Sequence, residues 1–144
     1  MLKINKTGSA HWEGGLKDGS GTVSTESGAL TEHPYGFNTR FGDVKGTNPE
    51  ELIGAAHAAC FTMAMSKTLG DEGLVAESME TTARVTLEQD DSGFTITAVH
   101  LTHKAKIPGA DQATFDKIAM KVKVACPVSN VLNASISLNA TLVS

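Results

Sequence analysis

Asn48-Pro49-Glu50-Glu51-Leu52-Ile53-Gly54-Ala55-Ala56-His57-Ala58-Ala59-Cys60-Phe61-Thr62-Met63-Ala64-Met65 opens with helix-start signals and continues as a core-like run. Asn48 can cap, Pro49 suits the first helical position, and Glu50 and Glu51 oppose the positive end of the helix dipole. From Leu52 to Leu69 apolar or small residues occupy every side, the pattern of a helix buried all round. This reading makes it the central helix of the fold. Alanine and glycine around Gly54 to Ala59 let another backbone approach closely, and a second copy of the chain could supply part of the cover.

Upstream, Gly14, Gly15, Gly19, Gly21 and Gly28 punctuate short β-compatible pieces, Ser9 to Glu13 and Gly21 to Thr25. They predict an antiparallel meander of about three strands finishing near Phe37 to Phe41. Gly19-Ser20-Gly21 lacks the third glycine and the following helix of a dinucleotide loop, and reads as a hairpin turn. Downstream, Thr81 to Glu88 alternates apolar and polar residues, and Phe94 to Lys106 follows across the turn Asp90-Asp91-Ser92-Gly93. That is a hairpin with one wet face. Phe115, Ile118, Ala119 and Val122 recur at helical spacing, predicting an amphipathic helix over about Asp111 to Val124. Ala125-Cys126-Pro127 ends it, Pro127 to Leu132 can form further turns, and Ile136, Leu138, Ala140 and Leu142 alternate as a last strand. Strands and helices in blocks argue for an α+β fold, with antiparallel sheets packed around the buried central helix in a single domain over residues 1–144.

Of the 144 residues 40% are hydrophobic and 19% charged, an ordinary globular mixture. A net charge of −4 gives phosphate neutralisation no source, which argues against nucleic acid as a partner. No signal peptide is evident, and no run reaches the roughly 18 apolar residues of a membrane span. The expectation is a cytoplasmic protein without a membrane partner. Two cysteines, Cys60 and Cys126, are too few for a structural disulfide framework, and a reducing cytosol would hold them as thiols at rest.

Residue chemistry alone leaves the roles of the two sulfurs open. Cys60, inside an apolar helix, has the setting of an inert core thiol with a raised pKa. Cys126, opening Cys126-Pro127-Val128-Ser129, lies near unpaired backbone N–H groups that favour thiolate, so local physics ranks it the better nucleophile. His57 shares a helix face with Cys60. That pairing would suit a Cys–His hydrolase or acyltransferase. No histidine spacing completes a three- or four-ligand metal site, and His100 and His103 read as exposed strand residues. Met63 and Met65 read as packing.

Tyr35-Gly36-Phe37-Asn38-Thr39-Arg40, the segment from Asn48 to Phe61, and Cys126-Pro127-Val128-Ser129 together resemble the osmotically inducible protein C (OsmC) family. The likeness runs almost end to end, including Ala10-His11-Trp12-Glu13-Gly14 and Gly21 to Ser27. Ala58-Ala59-Cys60 followed by the distant Cys126-Pro127 is shared with the related organic hydroperoxide resistance proteins, Ohr. The resemblance implies a thiol-dependent peroxidase acting on organic hydroperoxides, with Cys60 peroxidatic and Cys126 resolving, and it overrides the local ranking of the sulfurs. It also implies Arg40 as the catalytic arginine and Glu51 as the glutamate that orients it. An external dithiol, with lipoylated proteins the implied candidate, would be the reductant, and no cofactor or metal is required.

Such partners make physical sense, because a thiolate in a buried helix needs a permanent cation to offset its desolvation. Glu51 and Cys60 stand about 13.5 Å apart along one helix axis and about half a turn around it. A shared site is then simplest in an intertwined homodimer, one protomer giving Arg40 and Glu51 and the other the cysteines. A redox-responsive or apolar-ligand-binding module is the non-enzymatic alternative, and it would oxidise once without turnover.

Overall fold

The computed structural model describes residues 1–143. The chain forms two compact units, Met1–Pro49 and the segment from Glu50 onward.

In the first unit, β1 (Gly8–Glu13), β2 (Ser20–Thr25) and β3 (His33–Tyr35) form an antiparallel sheet in that order. Pro34 is tolerated because β3 lies at the sheet edge. Trp12 and Tyr35 both register against Gly21, and their rings meet edge-on at 5.6 Å. A Cβ on Gly21 would stand 2.6 Å from each ring, so only glycine lets the strands carry both aromatics over this point. The expected meander ends earlier than its sequence suggests. Phe37–Phe41 is a short helix, α1, because the Thr39 hydroxyl accepts the Gly36 N–H at 2.7 Å and closes a turn.

In the second unit, α2 (Pro49–Asp71) begins with Pro49 and carries Glu50 and Glu51 in its first turn, as the start signals require. Gly54, His57, Phe61, Met65 and Leu69 form one buried stripe. The opposite face is bare within this unit, with Ala55, Ala56 and Ala59 exposed and Met63 at 76% exposure. The expected burial on every side is thus present on one face only within this unit, since one sheet and α3 cover a helix from one direction.

β4 (Ser78–Asp90) and β5 (Gly93–Lys106) form the expected hairpin, with a register shift at Thr86/Leu87. β6 (Ser135–Val143) then pairs with β5 in parallel, so this sheet is mixed rather than antiparallel. Parallel neighbours need a long crossover, and α3 (Gln112–Ala125) with α4 (Pro127–Val131) supplies it. Asp111 caps α3, its carboxylate accepting the Thr114 N–H at 2.7 Å.

Phe61, Met65 and Leu69 from α2, Val99, Leu101 and Ala105 from β5, and Phe115, Ile118 and Val122 from α3 make the core, and Cys126 belongs to it. Each of the buried Phe, Met, Leu, Ile and Val side chains contributes about 1.5–3 kcal/mol. Among the described residues, no helix is long and apolar enough to cross a membrane.

Candidate active site

The second unit brings Cys60 and Cys126 together. Cys60 is half-buried at the flank of the α2 stripe, between it and the bare face, one turn after His57. Cys126 is fully buried at the break between α3 and α4. Its N–H still closes α3 on the Val122 carbonyl at 2.9 Å, while its extended backbone and the following Pro127 start α4. One residue therefore ends one helix and opens the next, which fixes its sulfur in the core. Both cysteines are free thiols.

The two sulfurs interact with each other and respond to their surroundings in opposite senses. Burial is the largest influence on Cys60 and pushes its pKa up. The Val128 N–H offsets part of this, and contact with Cys126 adds to the rise. Burial also opposes ionisation of Cys126. It is outweighed by the Ser129 N–H, the Cys60 thiol, the Ser129 hydroxyl and the Val128 N–H, so the Cys126 pKa falls. These contacts are loose, for the Cys126 side chain forms no true helix-cap hydrogen bond. Within the pair, Cys126 is the more acidic sulfur, in line with its position at a helix opening.

His57 is fully buried. Its Nε2 lies 2.7 Å from Ser129 Oγ, and its Nδ1 has no partner. The imidazole therefore faces Ser129 rather than Cys60, which removes the hydrogen bond that a Cys–His nucleophile requires. Ser129, part of the Cys126-Pro127-Val128-Ser129 motif, carried no role in the sequence reading, although its place three residues after Cys126 was a signal, because N-cap and N3 side chains face each other.

Arg40 lies exposed in α1 of the first unit, its guanidinium carbon 5.3 Å from the centre of the Phe41 ring. It lines an apolar cavity of about 220 Å³ with Trp12, Leu16, Tyr35, Phe37 and Phe41. Glu51 is exposed in the first turn of α2. Because α2 is continuous from Pro49 to Asp71, Glu51 stays about 13.5 Å from Cys60 along the axis.

His103, read from sequence as an exposed strand residue, is fully buried. It shares the inward face of β5 with Val99, Leu101 and Ala105, lies 5.1 Å from the Phe61 ring centre and 6.3 Å from that of Phe115, and bonds Thr81 Oγ1 through Nδ1 at 2.8 Å. Burial pulls its pKa down to about 4. His100 is half-buried and reaches Ser137 Oγ at 2.6 Å.

Comparison with known proteins adds independent findings. Residues 42–141 match the family described as OsmC-like protein. The chain is 57% identical over 143 residues to peroxiredoxin OsmC of Escherichia coli strain K12, covering 99% of this chain and all of that protein. It is 34% identical over 98 residues to an organic hydroperoxide resistance protein of Xanthomonas axonopodis pv. citri, 67% of either chain. Among solved structures, an organic hydroperoxide resistance protein OsmC from Legionella pneumophila superposes with a TM-score of 0.68 at 25% identity, covering 99% of this chain and all of that one. An OsmC-like protein from Vibrio cholerae superposes at 0.77 with 15% identity over 96% of this chain and 99% of the other, a likeness of fold.

Proposed function

The chain belongs to the OsmC-like protein family, and we propose on that premise that it reduces organic hydroperoxides to alcohols, with Cys60 as the peroxidatic and Cys126 as the resolving cysteine. It is a cysteine-based peroxidase. The observation that carries the finer reading is the contact between two free thiols inside the core of the second unit. A sulfenic acid formed on one sulfur is already within reach of the other.

The Cys60 thiolate attacks the terminal peroxide oxygen, the O–O bond breaks, and the departing alkoxide takes a proton to leave as alcohol. Cys126 then attacks the Cys60 sulfenic acid, water leaves, and a disulfide remains for an external dithiol to reduce. Lipoylated proteins are the proposed dithiol source, and a reducing cytoplasm the setting. Burial alone pushes Cys60 toward the unreactive thiol, so the first step needs a cation. Arg40 is proposed for that role and Glu51 for its orientation, both lent by a second protomer across the bare face of α2. The exposed alanines and Met63 on that face support such a homodimer. The apolar cavity beside Arg40 supports an alkyl rather than a purely aqueous substrate.

Stopped-flow oxidation of the reduced protein tests this. Cys60→Ser is expected to abolish peroxide consumption, and Cys126→Ser to permit one turnover and trap sulfenic acid. Catalytic turnover surviving in both single variants would overturn the assignment.

A further inference from the structure

His57 and Ser129 form a buried polar pair to which the two-cysteine reaction gives no task. His57 is fully buried on α2, and Ser129 is 9% exposed on α4. They meet across 72 positions of sequence, Nε2 to Oγ at 2.7 Å. Replacing both partners of a buried hydrogen bond by apolar groups of similar shape is nearly neutral for folding, so packing alone does not call for this pair.

Its geometry fixes which atom donates. Burial lowers the His57 pKa, so the ring is neutral and carries one N–H. On Nδ1 that hydrogen would be a buried donor without an acceptor, an orphan that folded proteins rarely keep. On Nε2 it is donated to Ser129 Oγ. The Ser129 oxygen then accepts from the ring, and its own hydrogen turns elsewhere. Ser129 is three residues beyond Cys126, at the N3 position of the helix that Cys126 caps, where N-cap and N3 side chains face each other, and its hydroxyl helps to lower the Cys126 pKa. Of the titratable groups on neighbouring elements, Cys60 of α2 touches that sulfur, and α3 brings Lys123 in its last turn.

We infer that His57 is a positioning residue for disulfide formation, donating Nε2–H to Ser129 so that the Ser129 hydroxyl points its hydrogen at Cys126 Sγ, the sulfur that attacks oxidised Cys60. The inference rests on the resolving role proposed for Cys126. Ser129, placed at N3 of the helix that Cys126 caps, is the residue through which His57 acts on the reacting sulfur. In this step Cys126 loses its thiol proton and its sulfur bonds to Cys60 Sγ. The S–O bond of the sulfenic acid breaks, and the leaving hydroxide takes up the proton as water. Cys126 is oxidised as the sulfenic sulfur is reduced, and the hydroperoxide has supplied the oxidising equivalents.

The test compares Ser129→Ala, Ser129→Thr, His57→Leu and His57→Gln with the wild-type protein. Alkylation of Cys126 is followed against pH by mass spectrometry of the reduced protein, and sulfenate decay is followed against pH after one equivalent of an alkyl hydroperoxide. Ser129→Ala and His57→Leu are expected to raise the Cys126 midpoint by about one unit. Disulfide formation then slows about threefold below the midpoint, because a tenfold loss of thiolate is partly offset by its greater nucleophilicity. Between the two midpoints the rates cross, and above both the variant is about threefold faster, because its thiolate is the more nucleophilic. Ser129→Thr and His57→Gln, which retain a donor, keep the wild-type midpoint. Unshifted midpoints in Ser129→Ala and His57→Leu, or slowing by one factor at every pH, would overturn the inference. Should His57→Leu fail to fold, Ser129→Ala against Ser129→Thr decides alone. A wild-type protein that consumes no hydroperoxide would sink the peroxidase reading instead, and the alkylation midpoints, which need no oxidant, would still decide on His57.

Discussion

Replacing His103 by leucine is expected to flatten the acid side of the stability profile. His103 sits fully buried between Phe61 and Phe115 with one hydrogen bond, to Thr81. Its pKa falls from 6.5 to about 4 on burial. Below pH 6.5 the unfolded ring takes up a proton that the folded ring refuses until about pH 4, so acid favours the unfolded chain. The stability is complete above this window and is lost as pH falls through it, at about 1.4 kcal/mol per pH unit. By pH 4.5 the loss is about 2.5 kcal/mol, some three quarters of the full difference of about 3.4 kcal/mol. His103→Leu removes this term. At neutral pH it costs about 1 kcal/mol through the lost hydrogen bond, a modest amount because Thr81 keeps its 2.6 Å contact with Thr62. The two profiles should therefore cross near about pH 6. Urea unfolding from pH 4.5 to 7.5 at one fixed protein concentration reads this directly. His57, whose pKa is lowered by burial, acts in the same sense in both proteins and cancels. Asp90 and Asp111, held low by hydrogen bonds from Ser92 and Thr114 respectively, contribute stability that is lost as pH falls below the window. Parallel profiles for the two proteins would refute the reasoning.

Arg40→Met is expected to slow the first oxidation step by about 10- to 100-fold, the effect of losing about two pK units of thiolate stabilisation. An unchanged second-order rate constant would remove Arg40 from the site. Gly21→Val should destabilise the first unit by about 1–3 kcal/mol, since a Cβ there meets the Trp12 and Tyr35 rings at 2.6 Å. Fluorescence of Trp12, the single tryptophan, reports it. Phe61→Ala should cost about 3–5 kcal/mol, because Phe61 is fully buried against His103, and the urea midpoint measures it.

Local order was legible along the chain. Pro49 with Glu50 and Glu51 started α2, Asp90 to Gly93 turned the hairpin, and the spacing of Phe115, Ile118, Ala119 and Val122 marked α3. Each depends on neighbours within a turn of sequence, where capping, dipole and turn preferences act. The family likeness carried Cys60 and Cys126 together, though their local surroundings ranked them in the opposite order, as their pKa directions do.

Tertiary packing decided what no local pattern encodes. β6 runs parallel to β5 because α3 and α4 carry the chain back across the sheet, although alternation in a strand reads the same in either direction. His103 is buried because its side of β5 faces α2 and α3, and a histidine between threonine and lysine gives no hint of which side that is. The 2.7 Å bond from His57 to Ser129 joins residues 72 positions apart. Sequence fixes which faces are apolar and where helices begin. Which face meets which depends on contacts distant in the chain, whose free energy exists only once the elements have packed.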